Sequence, residues 1–190
     1  MIAEPPIPEL GSVTASALAE VLATQFKLSV IASAPDEETN SKPMEQCHVG
    51  SVKLTGGLFS GDVQLQLPEA FVAKLTTVML GANAASVAEE DAADITGELC
   101  NMLAGRIAAT LAAAGYFSTL SIPTVARGRR LKFENDPGAK KYRSNWTCEG
   151  HLLRVVLQST SSRDEPKNSE CGRQQGRADA FGPAVSPVRL

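Results

Sequence analysis

The segment CHVGSVKLTGGLFSGDVQLQLP, residues 47–68, decides the fold class, because the hydrophobic period changes there. Its second half separates Val63, Leu65 and Leu67 by Gln64 and Gln66. Strict alternation sends successive side chains to opposite faces of a strand, so the segment reads as β-structure with one buried face. The glycines of GGLFSG, residues 56–61, supply a turn, and two strands joined there make a hairpin. Inside a hairpin no helix N-terminus is available to hold an anion, so this glycine cluster is a turn and not a phosphate loop.

Outward from the hairpin the period becomes helical. Pro68 closes the second strand and opens a helix over residues 68–80, which Gly81 ends. Upstream, TASALAEVLATQFKLSVI places Leu18, Val21, Leu22 and Phe26 at helical intervals, which predicts a helix from Thr14, its N-cap, to about Ile31. Residues 1–12 are proline-rich and read as an extended segment, and SAPDEETNSKP, residues 33–43, as a polar loop. Downstream, an alanine-rich helix runs from about Ser86 to Ala114, with Gly115 ending it. STLSIPTVARG, residues 118–128, reads as an extended segment that Pro123 places at a sheet edge. KYRSNWTCE (141–149) and HLLRVVLQS (151–159) are two further strands joined at Gly150. Residues 160–190 carry few large apolar side chains and no period, and are expected to be a disordered tail. Helices and hairpins in this order predict an α+β domain over residues 13–159, with helices packed on an antiparallel sheet.

Composition narrows the function classes. A hydrophobic share of 43% and a charged share of 21% are those of a soluble globular protein. The net charge of −3 disfavours a phosphate-backbone binder, so nucleic acid is not an expected partner. The run RGRRLK, with Arg127, Arg129, Arg130 and Lys132, reads as a solvated surface loop. No apolar run reaches the ~18 residues of a membrane span, and no signal peptide is visible at the N-terminus. Cysteines at 47, 100, 148 and 171 without close pairing suggest free thiols in a reducing cytoplasm. Cys47-His48 and Cys148-x2-His151 invite a metal reading, but adjacent Cys-His is a poor chelate and no tight second pair exists; no metal site is expected.

The long helix carries the motif DITGELCNMLAG, residues 94–105. At about 100° per residue, Ile95, Leu99, Met102, Ile107 and Leu111 fall together as a core face. Asp94, Glu98, Asn101, Gly105 and Ala112 form a second stripe beside it. Glu98 and Asn101 are therefore neighbours that point away from the sheet, with small residues beyond them. Such a face suits close approach by another protein, offering it a carboxylate and an amide that both donates and accepts. The same pattern also fits ordinary solvated side chains, with Gly105 serving tight helix packing. Cys100, between the two motif residues, belongs on the inner side as a packing residue.

This motif, followed by LSIPTVARG and preceded by HVGSVKLTGGLFSGDVQLQLPEAFVAKLTTVMLG, resembles the CheC/CheX family of chemotaxis phosphatases over roughly residues 12–158. Its sharpest part is the signature acid-x3-Glu-x2-Asn, present as Asp94, Glu98 and Asn101. The resemblance implies a protein phosphatase acting on the aspartyl phosphate of a CheY-like response-regulator receiver domain. In that reading Asn101 orients the attacking water and Glu98 contacts a receiver lysine; Asp94 either favours the helix N-terminal region electrostatically or touches the partner, and Gly105 belongs to the partner-facing surface. It implies no cofactor of the chain's own, with Mg2+ supplied by the receiver. One motif instead of two resembles the single-site CheX type, whose members pair through their sheets, and so implies a homodimer. The rival reading is a non-catalytic module of the same fold that docks a receiver or a flagellar switch component.

Overall fold

The computed structural model describes residues 7–32, 43–81, 87–131 and 138–161. The first helix, α1 (Leu10–Phe26), leads to a two-residue strand β1 (Ile31–Ala32). The hairpin β2 (Cys47–Thr55) and β3 (Phe59–Pro68) runs into α2 (Glu69–Leu80). The long helix α3 (Glu89–Ala113) precedes β4 (Thr119–Leu120) and β5 (Thr124–Gly128), and the described residues end with the hairpin β6 (Lys140–Cys148) and β7 (His151–Ser161). All strand pairs are antiparallel in one sheet of order β1-β6-β7-β3-β2, with β4 and β5 sharing the free edge of β2. The three helices among the described residues cover one face: α3 lies over β2 and β3, with α1 on one flank and α2 on the other. This is the α+β architecture expected from the alternation of periods.

The core sits between that face and the helices. Val52, Leu54, Val63, Leu65 and Leu67 from the first hairpin meet Leu99, Leu103, Ile107 and Leu111 of α3. Leu18 and Leu22 of α1 and Phe71 and Leu75 of α2 fill the flanks. Gly50 is the point of closest approach between sheet and helix: a Cβ there would lie 2.6 Å from Cys100 Cβ and 3.0 Å from Thr96 O. Only a residue without a side chain lets α3 lie this close.

Several expectations are corrected at the element ends. The first helix begins at Leu10, within the stretch expected to be extended, and Thr14 is a buried interior residue whose hydroxyl donates to Leu10 O (3.0 Å) and Gly11 O (2.9 Å). The helix needs these earlier turns because Leu10 and Val13 are core residues. It ends at Phe26, not near Ile31, with Lys27 in the left-handed conformation (φ 57°) and Leu28 N–H bonded back to Leu22 O. A left-handed residue at a helix end is ordinarily glycine, so a lysine gave no stop signal. The expected edge segment 118–128 is two short strands, broken at residues 121–123. The glutamines expected on the open face of β3 are 4% (Gln64) and 9% (Gln66) exposed. They lie in a central strand between β2 and β7, where Arg154 and Gln158 of β7 also cover the face. β7 runs to Ser161; residues 162–190 of the expected tail, the loop residues 33–42 and Lys132 lie outside the described residues. Among the described residues, no helix is long and apolar enough to cross a membrane.

Candidate partner-facing site on the long helix

The acids Glu89, Glu90 and Asp91 in the first turn of α3 favour the positive end of the helix dipole and set where the helix starts. From there one face is committed to the core: Ile95, Leu99, Leu103, Ile107 and Leu111 are all buried. Met102, expected on that face, is only half-buried; Leu103 is buried in its place, and Cys100 is buried beside Leu99, on the inner side as expected. The Cys100 thiol donates to Val63 O at 3.7 Å, and burial pushes its pKa up to about 12, so it packs and does not react.

Asp94 and Glu98 are exposed, and Asn101 and Gly105 are half-buried, all on the side of α3 turned from the core. By helix geometry Glu98 and Asn101 are separated by about 4.5 Å along the axis and share one face. Among the described residues, neither side chain is held by a hydrogen bond or ion pair. A Cβ built on Gly105 meets nothing within 4 Å, so this glycine does not serve helix packing; it leaves the surface beyond Asn101 low. One residue further, Arg106 pairs with Glu20 of α1 and fixes the boundary of the open face. On the other side, Pro123 and Val125 cover Gly97, which holds this turn of α3 against the sheet edge. The four residues Asp94, Glu98, Asn101 and Gly105 therefore lie together on one open surface beside that edge. A cavity of about 580 Å³ opens instead on the opposite face of the sheet, lined by Gln66, Arg143 and Arg154 among others.

The basic run is absorbed by ion pairs in part. Arg127 bridges Glu69 of α2 and Glu89 of α3, and Arg130 holds Glu45 at 2.6 Å. These ties clamp the edge strand to both helices near the start of α3. His48 lies beneath Arg127, 3% exposed, and burial followed by the neighbouring guanidinium lowers its pKa. Cys47 and His48 point to opposite faces of β2, so they cannot share an ion. Among the described residues, no three His, Cys, Asp or Glu side chains converge as metal ligands. Cys47, Cys100 and Cys148 are buried free thiols; Cys171 lies outside the described residues.

An exposed helix-borne carboxylate and a half-buried amide one turn on, set over small residues, can meet a second protein and hold a water by hydrogen bonds. They carry no nucleophile. A search of curated protein sequences finds no match. Among solved structures, a chemotaxis protein CheX from Vibrio vulnificus superposes with TM-score 0.69 at 17% identity, covering 84% of this chain and all of that one. The CheX of a CheX–CheY–BeF3–Mg2+ complex from Borrelia burgdorferi has TM-score 0.60 at 16% identity, with 80% and 97% covered. FliY from Thermotoga maritima has TM-score 0.57 at 20% identity, with 82% and 87% covered. Residues 48–144, which hold the first hairpin, α2, α3 and the signature Asp94, Glu98 and Asn101, match the family model described as chemotaxis phosphatase CheX. The chain belongs to the CheX family.

Proposed function

We propose that this protein hydrolyses the aspartyl phosphate of a CheY-like receiver domain in a cytoplasmic two-component pathway. The observation that carries the reading is the exposed Glu98 beside the half-buried Asn101 on one face of α3, with open space at Gly105 for an approaching partner. The family and the described CheX–CheY complex of a structural relative support it.

The chemistry divides between the two proteins. Asn101 has no proton to exchange near neutral pH, so it does not act as a base. Its carbonyl and amide instead hold a water in line with phosphorus. The water oxygen bonds to phosphorus as the bond to the aspartyl oxygen breaks, giving a free carboxylate and inorganic phosphate, and the water proton passes to phosphate. Positioning suffices because phosphoryl transfer has a loose transition state. Glu98 anchors the receiver through its lysine, and Asp94 and Gly105 border the contact. The receiver's Mg2+ neutralises charge on the phosphoryl group. A homodimer completes the reading, and sedimentation at micromolar concentration tests it.

Replacing Asn101 by alanine is expected to lower the turnover of phosphorylated receiver by about a hundredfold while leaving its binding unchanged. Hydrolysis by the variant at the wild-type rate would refute the water-positioning role. The second reading is a non-catalytic docking module of the same fold. It is the outcome if wild type binds receivers without accelerating phosphate loss.

A further inference from the structure

The edge of the sheet beside α3 contains a distortion that hydrophobic burial does not explain. Leu120 pairs with Leu54 and Thr124 pairs with Ser51, so residues 121–123 stand opposite only Val52 and Lys53. One extra residue is inserted in the edge strand, which makes a bulge. Bulges on edge strands turn a side chain out of the sheet's alternation. Here the residue turned out is Ile122, which is 88% exposed, more than any other large hydrophobic side chain described.

This exposure is held in place. Ser121 is fixed to β2 twice, its N–H donating to Lys53 O at 2.9 Å and its hydroxyl accepting from Lys53 N–H at 3.0 Å. The same hydroxyl donates to Ile122 O at 3.0 Å. Pro123 follows, with fixed φ and no N–H to leave unsatisfied, and it lies against Gly97 of α3. Gly97 is the immediate neighbour of Glu98 and lies one turn before Asn101. A solvent-exposed isoleucine thus stands next to the proline that packs at Gly97, the residue before Glu98.

We propose that Ile122 is a docking residue for the phosphorylated receiver, seating an apolar patch beside the receiver's phosphorylation pocket. This rests on the function proposed above and adds to it the residue that sets affinity apart from chemistry. Glu98 and Asn101 supply polar contacts that water satisfies equally well in the free protein. Ile122 supplies apolar area that is removed from water only in the complex, and that burial favours association.

The test uses the full chain and CheY-like receivers of the same genome. Steady-state phosphate release is followed with acyl-phosphorylated receiver, and binding by calorimetry with beryllofluoride-loaded receiver. Ile122→Ser is expected to raise KM and Kd about tenfold with kcat within twofold and Tm unchanged. Asn101→Ala is expected to lower kcat with Kd unchanged. Phe117→Ser, equally apolar and 72% exposed but beyond the C-terminal end of α3, is expected to change neither. If wild type binds and Ile122→Ser binds within twofold of it, the docking role is overturned while the phosphatase reading stands. If that variant instead changes the sedimentation of the chain and leaves Kd alone, the edge contacts a second copy, and the docking role is again overturned. If wild type binds receivers without hydrolysis, the Kd comparison still decides Ile122 and only the phosphatase reading falls. Failure to bind any receiver overturns both.

Discussion

Substituting Gly50 by alanine tests the seam on which the whole partner-facing surface rests. The added Cβ would stand 2.6 Å from Cys100 Cβ, and carbon atoms in contact prefer about 3.5–4.0 Å, so roughly 1 Å of room is missing. The second neighbour is Thr96 O at 3.0 Å, a backbone atom that cannot rotate aside. β2 is pinned by β3 on one side and by β4 and β5 on the other, so the strain falls on α3. Overpacking of this kind costs about 2–3 kcal/mol, although alanine in a strand is otherwise favoured over glycine. For a domain of this size that corresponds to a fall in Tm of about 4–12 °C. Thermal and urea unfolding followed by circular dichroism measure it, with Gly57→Ala as the control because a Cβ there meets nothing within 4 Å. In a Cys100→Gly background the same change is expected to cost about 1 kcal/mol less, since both Cys100 contacts are gone and only Thr96 O remains. A loss below about 0.5 kcal/mol for Gly50→Ala would refute the argument that α3 is seated against β2 at this glycine.

Gly105→Ala separates stability from docking: helix propensity is expected to stabilise the fold by about 1 kcal/mol, while the new methyl group on the open face raises KM for phosphorylated receiver. A lower KM, or no change, would remove Gly105 from the contact surface. With its pKa at about 12, Cys100 is expected to be about one part in ten thousand thiolate at pH 8, so in a Cys171→Ser background thiol reagents should label the protein only as it unfolds. Rapid stoichiometric labelling of native protein at Cys100 would contradict its burial. His48 binds a proton less readily folded than unfolded, so its contribution to stability is complete above about pH 6.5 and declines as pH falls below that toward the lowered native pKa. The acid loss of Tm between pH 6.5 and 5 is therefore expected to be shallower in His48→Gln; an identical pH slope in the variant would assign that loss to other groups.

The resemblance to CheX proteins and the placing of Glu98 and Asn101 on one helix face were both legible in residues 47–115. Period two in Val63, Leu65 and Leu67 and period 3.6 in Leu99, Ile107 and Leu111 are local signals, because a strand and a helix each repeat along the chain itself. The acid-x3-Glu-x2-Asn spacing is local for the same reason. Features that depend on a distant neighbour were not legible. Whether Gly105 served packing or exposure depended on what stands opposite it, and only the fold places open space there. Gly50 resembles any strand glycine until α3 is laid over it. Gln64 and Gln66 read as solvent-facing, since alternation specifies the face of a strand and not whether that face is covered; β3 became central only when β7 paired along it. The bulge at Ile122 follows from two separate registers against β2, one through Leu120 and one through Thr124. A register belongs to two strands at once, and either strand's sequence alone leaves it open. The sequence by itself therefore determined which groups this protein can offer a partner. Tertiary structure decided which of them stand in the open beside one another, because exposure is a property of the neighbours and not of the residue.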